Sequence, residues 1–280
     1  FLIVSSLLNI GLDFLFIVAF GWGVGGAAWA TIIAQGVAFV WSVIYINRRD
    51  HVIRINFRHP RFDRKIFVQC MKMGLPAGLQ QTFVAVGMLA LLGIVNTFGT
   101  DVIAAYVSVN RLDTFVSLPV MNFAAALTSF VGQNMGVGNI DRIKKGLKAT
   151  LGMSLATCLV LNTSIIVFGR PLMSLFTTDP NVISIGYELL VILNTFYLLF
   201  AVMFTFNGLL RGAGASVFPM LTTLLSLWII RIPAAALLSK AFGVIGIWWA
   251  MPLGWFVGMA GAMTYYFSGR WKKKSLVRRD

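Results

Sequence analysis

The sequence predicts an all-α polytopic membrane protein, and three observations support this fold class. Hydrophobic residues make up 58% of the 280 positions and charged residues only 11%, whereas soluble domains carry about 25% charged residues. The apolar residues form blocks of about 20 or more, long enough to cross a hydrocarbon core of about 30 Å as helices. The blocks lack the polar–apolar alternation of a membrane β-barrel. Because lipid cannot hydrogen-bond to the backbone, such blocks must be helical.

Eight blocks are predicted to span the membrane. They comprise residues 1–20, 24–46, 74–98, 102–134, 146–169, 182–210, 216–239 and 243–268. The fourth block is too long for one straight crossing. A kink at Pro119, or an inner end that leaves the membrane, would accommodate it.

Basic residues between the blocks predict the orientation of the chain. The net charge is +14, which in a soluble protein would suggest nucleic acid. Here segments rich in Lys and Arg follow the second, fourth, sixth and eighth blocks, while the other loops carry few charges. By the positive-inside rule, this alternation predicts a cell-membrane protein with both ends of the chain in the cytoplasm. Nucleic acid is therefore not an expected partner.

A short internal repeat predicts how the blocks group. Residues 23–30 resemble residues 243–250, and each stretch opens a helix after a short outer turn; such repeats are common in transporters. The third to eighth blocks would then form one six-helix lobe, with the first two blocks completing a preceding lobe. Four helices are accordingly expected to precede Phe1 in the intact protein. The predicted domains are an N-lobe end at 1–46, a basic linker at 47–72, a C-lobe at 73–268 and a cytoplasmic tail at 269–280.

Asp13 is the strongest candidate for a functional residue. It lies within the first block, and neither neighbouring helix carries a basic residue. Asn9 precedes it by one helical turn on the same face, and a tight turn should bring residues between Ala27 and Thr31 to a similar depth. The Asp13 carboxylate, the Asn9 amide oxygen and the Thr31 hydroxyl would suit a small cation. Burial would alternatively let Asp13 carry a proton. Alternatively, a neutral Asp13 would hydrogen-bond to Asn9 and serve packing alone.

Four further ionisable residues lie in the blocks of the second lobe: Arg111, Asp113, Glu188 and Arg231. They are expected to form ion pairs or to serve function, with Arg231 pairing with Asp113 or Glu188. Other polar residues either line a substrate cavity or form interhelical hydrogen bonds; they are Gln81, Asn110, Asn194, Tyr197 and Asn207. No catalytic constellation is found, so neither an enzyme nor a cofactor is predicted. The only metal expected is Na⁺ at the Asp13 site.

Four stretches of this sequence resemble the multidrug and toxic compound extrusion (MATE) transporters. Residues 9–13 with 25–31, beginning Asn-x-x-Leu-Asp, resemble the fifth and sixth helices of that family. Gly-Leu-Pro-Ala at 74–77 resembles the start of the seventh. Arg-x-Asp at 111–113, with the later Gly-Gln-Asn, resembles the eighth, and Gly-Leu-Leu-Arg-Gly at 208–212 resembles the end of the tenth.

The resemblance implies twelve helices in two lobes around a V-shaped cavity, and drug efflux driven by Na⁺ or H⁺ entry. The cation ligands in the N-lobe of family members match Asn9, Asp13, the backbone of Ala27, and Thr31. A further acidic ligand belongs on the first helix, which this chain lacks. Another branch carries acids in the seventh and tenth helices. Here the third block has no acid and Glu188 sits nearer the outer end than that pattern requires, so coupling is expected in the N-lobe.

The expected function is therefore a secondary antiporter that exports amphipathic organic cations in exchange for Na⁺ or H⁺. Such substrates suit an apolar cavity with aromatic and Met surfaces. The alternative is a flippase of lipid-linked oligosaccharides, but its wide cationic cavity would have to rely on Arg111 and Arg231. A third class, a non-transporting membrane scaffold, would not explain an unpaired Asp13.

Overall fold

The computed structural model describes residues 2–49 and 62–273, and those residues form eight long helices and no strand. The helices are α1 (Leu2–Ala19), α2 (Gly23–Arg49), α3 (Arg64–Asn96), α4 (Thr100–Val137), α5 (Ile140–Ser174), α6 (Pro180–Gly212), α7 (Val217–Phe242) and α8 (Val244–Phe267). All eight are long and apolar enough to cross a membrane. The predicted fold class and number of spans are confirmed, and the chain is a multi-pass membrane protein.

Several helices extend beyond the predicted spans. Helix α3 begins at Arg64 rather than at residue 74, so the end of the predicted linker at 47–72 is helical; residues 50–61 of that linker lie outside the described residues. Helix α5 covers Ile140–Ser174 rather than 146–169. Hydropathy locates only the apolar part of a helix, whereas Arg, Lys and Gln are good helix formers that extend it into polar flanks.

Helix α4 is one continuous helix that includes Pro119. Its 38 residues correspond to a length of about 57 Å at the α-helical rise, against a hydrocarbon core of about 30 Å. Membrane helices tolerate Pro because neighbouring groups satisfy the freed backbone. The helix can therefore fit a bilayer only if it is tilted or if an end projects from it.

The described chain divides into two compact units, residues 1–63 and residues 64–280. In the first unit α1 packs against α2. In the second unit α6 is central and packs against α4, α5 and α8, while α3 packs against α7. The largest fully buried side chains of the second unit include Tyr197 and Trp248. Aromatic and aliphatic packing around α6 therefore forms the core of this unit.

The two turns that the internal repeat aligns each contain a glycine with a positive φ. Gly23, the first residue of α2, has a φ of 54°, and Gly243, immediately before α8, has a φ of 63°. Glycine reaches this left-handed region without the steric penalty that a Cβ imposes. The short repeat in the sequence thus coincides with a positive-φ glycine at the start of each of the two helices.

The segment that follows α8 packs on the second unit. Residues Arg270–Lys273 form a 3₁₀ turn, and Trp271 is fully buried. The Trp271 indole donates a hydrogen bond to the Tyr266 carbonyl oxygen at 3.0 Å and stacks on the Tyr266 ring. The packed unit therefore continues past the predicted boundary at residue 268, because a single Trp among basic residues does not raise the local hydropathy enough to be noticed.

Candidate functional site

Helices α1 and α2 bring three of the four predicted coupling residues into one hydrogen-bonded chain. The Asn9 amide nitrogen donates to the Thr31 hydroxyl oxygen at 3.4 Å. The Thr31 hydroxyl in turn donates to the Ala27 carbonyl oxygen at 3.0 Å. The Asn9 amide oxygen takes no part in these hydrogen bonds and remains available as an acceptor.

Asp13 lies one turn beyond Asn9 on α1. One of its carboxylate oxygens is buried and has no hydrogen-bond partner among the described residues. The hydrogen bond to Asn9 that a pure packing role would require is absent, because Asn9 donates to Thr31 instead. Buried polar atoms without partners are costly and rare, so the orphaned oxygen indicates a place for a ligand.

The helical geometry of α1 changes directly after Asp13. Residues Phe14–Ala19 are π-helical, and the Phe20 amide donates to the Leu15 carbonyl at 3.0 Å. Here α1 lies close to α2: a Cβ on Gly26 would stand 3.0 Å from the Phe16 Cβ. Segments of π-helix are uncommon and occur frequently at functional sites. No residue pattern in the sequence predicts this π-helical segment.

The first unit thus offers a set of oxygen atoms and little else for an ion to bind. Carboxylate, amide, hydroxyl and carbonyl oxygens come from Asp13, Asn9, Thr31 and Ala27, and such hard ligands suit small cations. Transporters commonly bind Na⁺ or H⁺ where helix geometry is interrupted. Within residues 2–49 and 62–273 no group of three or more His, Cys, Asp or Glu side chains could hold a metal ion.

A second group of ionisable residues lies inside the second unit. Asp113 on α4 is half-buried and lies near the Tyr197 hydroxyl of α6 and the Arg231 guanidinium of α7, although the Tyr197 hydroxyl makes no hydrogen bond with a described residue. Tyr197 is 1% exposed and Arg231 is 8% exposed. Of the two acids predicted to face Arg231, Asp113 is the neighbour, whereas Glu188 is exposed. Asp113 and Arg231 do not, however, form an ion pair within 4.0 Å among the described contacts.

The remaining predicted cavity residues do not converge on one site. Gln81, Asn110 and Arg111 are exposed, and Asn110 donates to the Tyr106 carbonyl of its own helix at 2.8 Å. Buried Asn194 likewise donates to the carbonyl of Leu190, at 2.8 Å.

Asn207 is also buried, and its amide oxygen lacks a partner among the described residues. An interhelical hydrogen bond is instead made by Gln80, which the sequence did not single out. Gln80 donates to the Thr223 hydroxyl of α7 at 2.6 Å.

Comparison with known sequences identifies relatives along the whole chain. The MatE family profile matches residues 76–237. The chain is 35% identical to "Probable multidrug resistance protein YpnP" of Bacillus subtilis, covering 99% of this chain and 62% of that protein. It is 27% identical to "Probable multidrug resistance protein NorM" of Thermotoga maritima, covering 99% of this chain and 61% of that protein. The chain therefore spans about three fifths of the length of these curated relatives.

Solved structures share the fold. An outward-facing multidrug resistance MATE family transporter of the MOP superfamily matches with a TM-score of 0.86 and 24% identity, covering 98% of this chain and 61% of that one. A MOP superfamily transporter from Pyrococcus furiosus matches with a TM-score of 0.85 and 23% identity, covering 99% and 62%. At such identities the likeness establishes the fold alone.

Proposed function

This chain belongs to the MatE family, and from that premise we propose that it forms the larger part of a secondary antiporter. The intact protein would export amphipathic organic cations in exchange for Na⁺ or H⁺. Relatives along the whole chain are described as multidrug resistance proteins. The observation that carries the proposal is the orphaned carboxylate oxygen of Asp13, one turn from the hydrogen-bonded chain of Asn9, Thr31 and Ala27.

In the proposed mechanism the coupling ion binds at Asp13, with Asn9, Thr31 and the Ala27 carbonyl as further ligands. An ion can shift a two-state protein only by the difference in its affinity for the two states. Moving α1 relative to α2 would change the spacing of these oxygens, and the π-helical segment after Asp13 is where the backbone can absorb that movement. Substrate release would follow when the ion drives the transporter from one of these two states to the other.

The proposed setting is the cell membrane, with both ends of this chain in the cytoplasm. Residues 1–46 would end an N-lobe, the segment from residue 47 into the start of α3 would link the lobes, and the C-lobe would continue through the buried Trp271 before the tail. A match of nearly the whole chain to about three fifths of its relatives is what eight helices of a twelve-helix fold would give. The preceding helices would supply a further acidic residue facing Asp13.

A flippase of lipid-linked oligosaccharides is less well supported. Its anionic cargo would require a cationic cavity, yet Arg231 is buried near Asp113. A non-transporting scaffold gains nothing from leaving a buried carboxylate oxygen without a partner. The Asp13 site therefore favours the ion-coupled antiporter over both alternatives.

Export of a fluorescent organic cation by the intact protein should depend on an inward Na⁺ or H⁺ gradient. The measurement is dye efflux from cells without other efflux pumps, with each gradient collapsed in turn by an ionophore. Efflux that survives loss of both gradients would contradict antiport. Transport of a labelled lipid-linked sugar without dye efflux would indicate the flippase, and transport of neither would indicate the scaffold.

Replacing Thr31 with Val should distinguish the two coupling ions. Val keeps the shape of Thr but lacks the hydroxyl that bonds to Asn9 and Ala27. If Na⁺ is the coupling ion, losing one oxygen ligand should weaken its apparent affinity by about tenfold, in line with about 1.5 kcal/mol for an interaction with a charged group. Apparent affinity is read from the Na⁺ dependence of efflux.

Thr31→Ser, which retains the hydroxyl, is the matched control and should restore the Na⁺ dependence. With proton coupling, Thr31→Val should leave the pH dependence of efflux nearly unchanged, because Asp13 alone carries the proton. A loss in Thr31→Val that Thr31→Ser fails to restore would show that side-chain shape matters here rather than the oxygen.

A further inference from the structure

A group of exposed basic residues lies at one end of the second unit and takes no part in the proposed coupling site. The helix ends there are joined by an apolar core that includes Leu127 of α4, Leu147 of α5, Leu210 of α6 and Trp271 after α8. Because they share this core, the start of α5 and the turn after α8 lie at the same end of the unit. We define the basic collar as the exposed bases of these two segments: Arg142, Lys145, Lys148, Arg270 and Lys272.

Both segments of the basic collar are fixed by a neighbouring side chain in the core. On α5, Arg142 precedes Ile143, which is fully buried. After α8, Arg270 and Lys272 flank Trp271, which is also fully buried. The Trp271 indole donates a hydrogen bond to a carbonyl oxygen in the last turn of α8 at 3.0 Å. The backbone of the collar is therefore held in place, while its charged side chains face outward.

The charges of the basic collar are not balanced by acidic residues. Asp141 is the only acid at the start of α5, and it pairs with Lys144 at 3.3 Å. None of the five collar residues forms an ion pair with a described residue. Arg142 lies over the Phe130 ring, 5.6 Å from its centroid, which leaves its charge without a carboxylate. Like charges concentrated in one place attract a partner of opposite charge, so the collar is complementary to an anion.

Aromatic residues indicate that the basic collar lies at the level of lipid headgroups. Tyr265 and Tyr266 end α8 beside the collar, and Trp271 stacks on Tyr266; Tyr and Trp concentrate at the membrane–water interface. Phe267, the last residue of α8, is 71% exposed. In the proposed orientation this end faces the cytoplasmic leaflet, which carries anionic lipids. An anionic lipid would use both the charges and the exposed apolar ring, whereas a soluble anion would use the charges alone.

We propose that the basic collar binds the headgroup of an anionic phospholipid, with bases of α5 and of the turn after α8 contacting the same lipid. The phosphate would accept charge-assisted hydrogen bonds from Arg and Lys side chains, and Phe267 would contact the acyl chains. The bound lipid would tie the end of α8 to the start of α5. Lipid binding requires neither Asp13 nor an ion gradient, so it goes beyond the proposed antiport and is independent of it.

The buried Trp271 distinguishes a defined lipid site from the diffuse attraction that any basic surface exerts on anionic lipid. Diffuse attraction depends on the number of charges and on the salt concentration, so it would not change when Trp271 is replaced. A defined site requires Trp271 to hold Arg270 and Lys272 beside α5. Because Trp271→Ala removes no charge, its effect on lipid binding reports the anchoring of the turn alone.

The test is native mass spectrometry of the intact purified transporter with increasing phosphatidylglycerol, and with phosphatidylcholine of the same acyl chains as the reference without net charge. Wild-type protein should bind phosphatidylglycerol more tightly, and added salt should reduce this preference. Arg270→Gln/Lys272→Gln should weaken phosphatidylglycerol binding about 30-fold, because each base beside an anionic headgroup contributes about fivefold. Lys145→Gln/Lys148→Gln should weaken it similarly. Lys240→Gln, which changes an exposed base in the last turn of α7 at the opposite end of the unit, is the control and should leave binding unchanged.

Trp271→Ala should weaken phosphatidylglycerol binding about as much as Arg270→Gln/Lys272→Gln does, whereas Trp271→Phe, which keeps a ring in the core, should retain most of it. Removing a large buried side chain can unfold the protein; in that case the two pairs of exposed charge variants decide the question. The proposal is overturned if either pair leaves the preference for phosphatidylglycerol intact, or if folded Trp271→Ala binds this lipid as wild type does. Because lipid binding is measured without transport, its failure is distinguishable from failure of the antiport proposal.

Discussion

Replacing Asp13 with Asn is expected to abolish ion-coupled export while leaving membrane insertion intact. Asn has nearly the same size as Asp but carries no negative charge and cannot exchange a proton, so the variant fails with either coupling ion. Removing a charge-assisted interaction of about 1.5–3 kcal/mol corresponds to about 10–150-fold weaker ion binding. The measurement is dye efflux under an inward ion gradient, together with the amount of folded protein in the membrane.

The matched control for this variant is Asp101→Asn. Asp101 is an exposed acid at the start of α4, and its loss should leave efflux unchanged. Undiminished export by Asp13→Asn at wild-type expression would remove Asp13 from the mechanism and with it the observation on which the antiport proposal depends. A loss of efflux that only follows a loss of folded protein would instead assign Asp13 to packing.

Replacing Gly208 with Ala is expected to destabilise the protein by forcing α4 and α6 apart. A Cβ at this position would lie 2.5 Å from the Ala124 carbonyl oxygen and 3.1 Å from its carbonyl carbon. Backbone atoms of a packed helix cannot move aside as a flexible side chain can, so α4 and α6 must separate. Separation would also strain the hydrogen bond from the Thr128 hydroxyl to the Gly208 carbonyl, which is 2.9 Å long.

Overpacking of this kind costs about 1–3 kcal/mol, or about 2–4 °C of melting temperature per kcal/mol for a chain of this size. Thermal unfolding of the purified protein in detergent provides the measurement. Gly152→Ala on α5 is the control, because nothing lies within 4 Å of its added Cβ and Ala is the better helix former. Equal melting temperatures for the two variants would mean that α4 and α6 are not held by this close approach.

The sequence predicted the Asp13 site as far as local geometry allows. The spacing of Asn9 and Asp13 follows from the helical repeat, and the tight turn before α2 brings the stretch between Ala27 and Thr31 to a depth similar to that of Asp13. The structure then links Asn9, Thr31 and Ala27 by hydrogen bonds. The π-helical segment after Asp13 could not be predicted, because it depends on how α1 packs against α2 near Gly26.

In the second unit, the choice among interhelical contacts was beyond prediction. The sequence offered both Asp113 and Glu188 as neighbours of Arg231, and only the arrangement of α4, α6 and α7 decides in favour of Asp113. Gln80 and Gln81 are adjacent and chemically identical, yet only Gln80 points at Thr223. Which of two neighbouring residues meets another helix depends on the rotation of both helices about their axes.

Hydropathy and loop charge by themselves determined that this chain is a helical membrane protein with eight spans, and its motifs identified the MATE family. These properties follow from solvation, since lipid forces apolar segments to satisfy their own backbone as helices. Tertiary structure alone decided the length of each helix beyond its apolar part, the burial of Trp271 and the orphaned atoms at Asp13, Tyr197 and Arg231. Those features depend on contacts between residues distant in sequence, which no local pattern records.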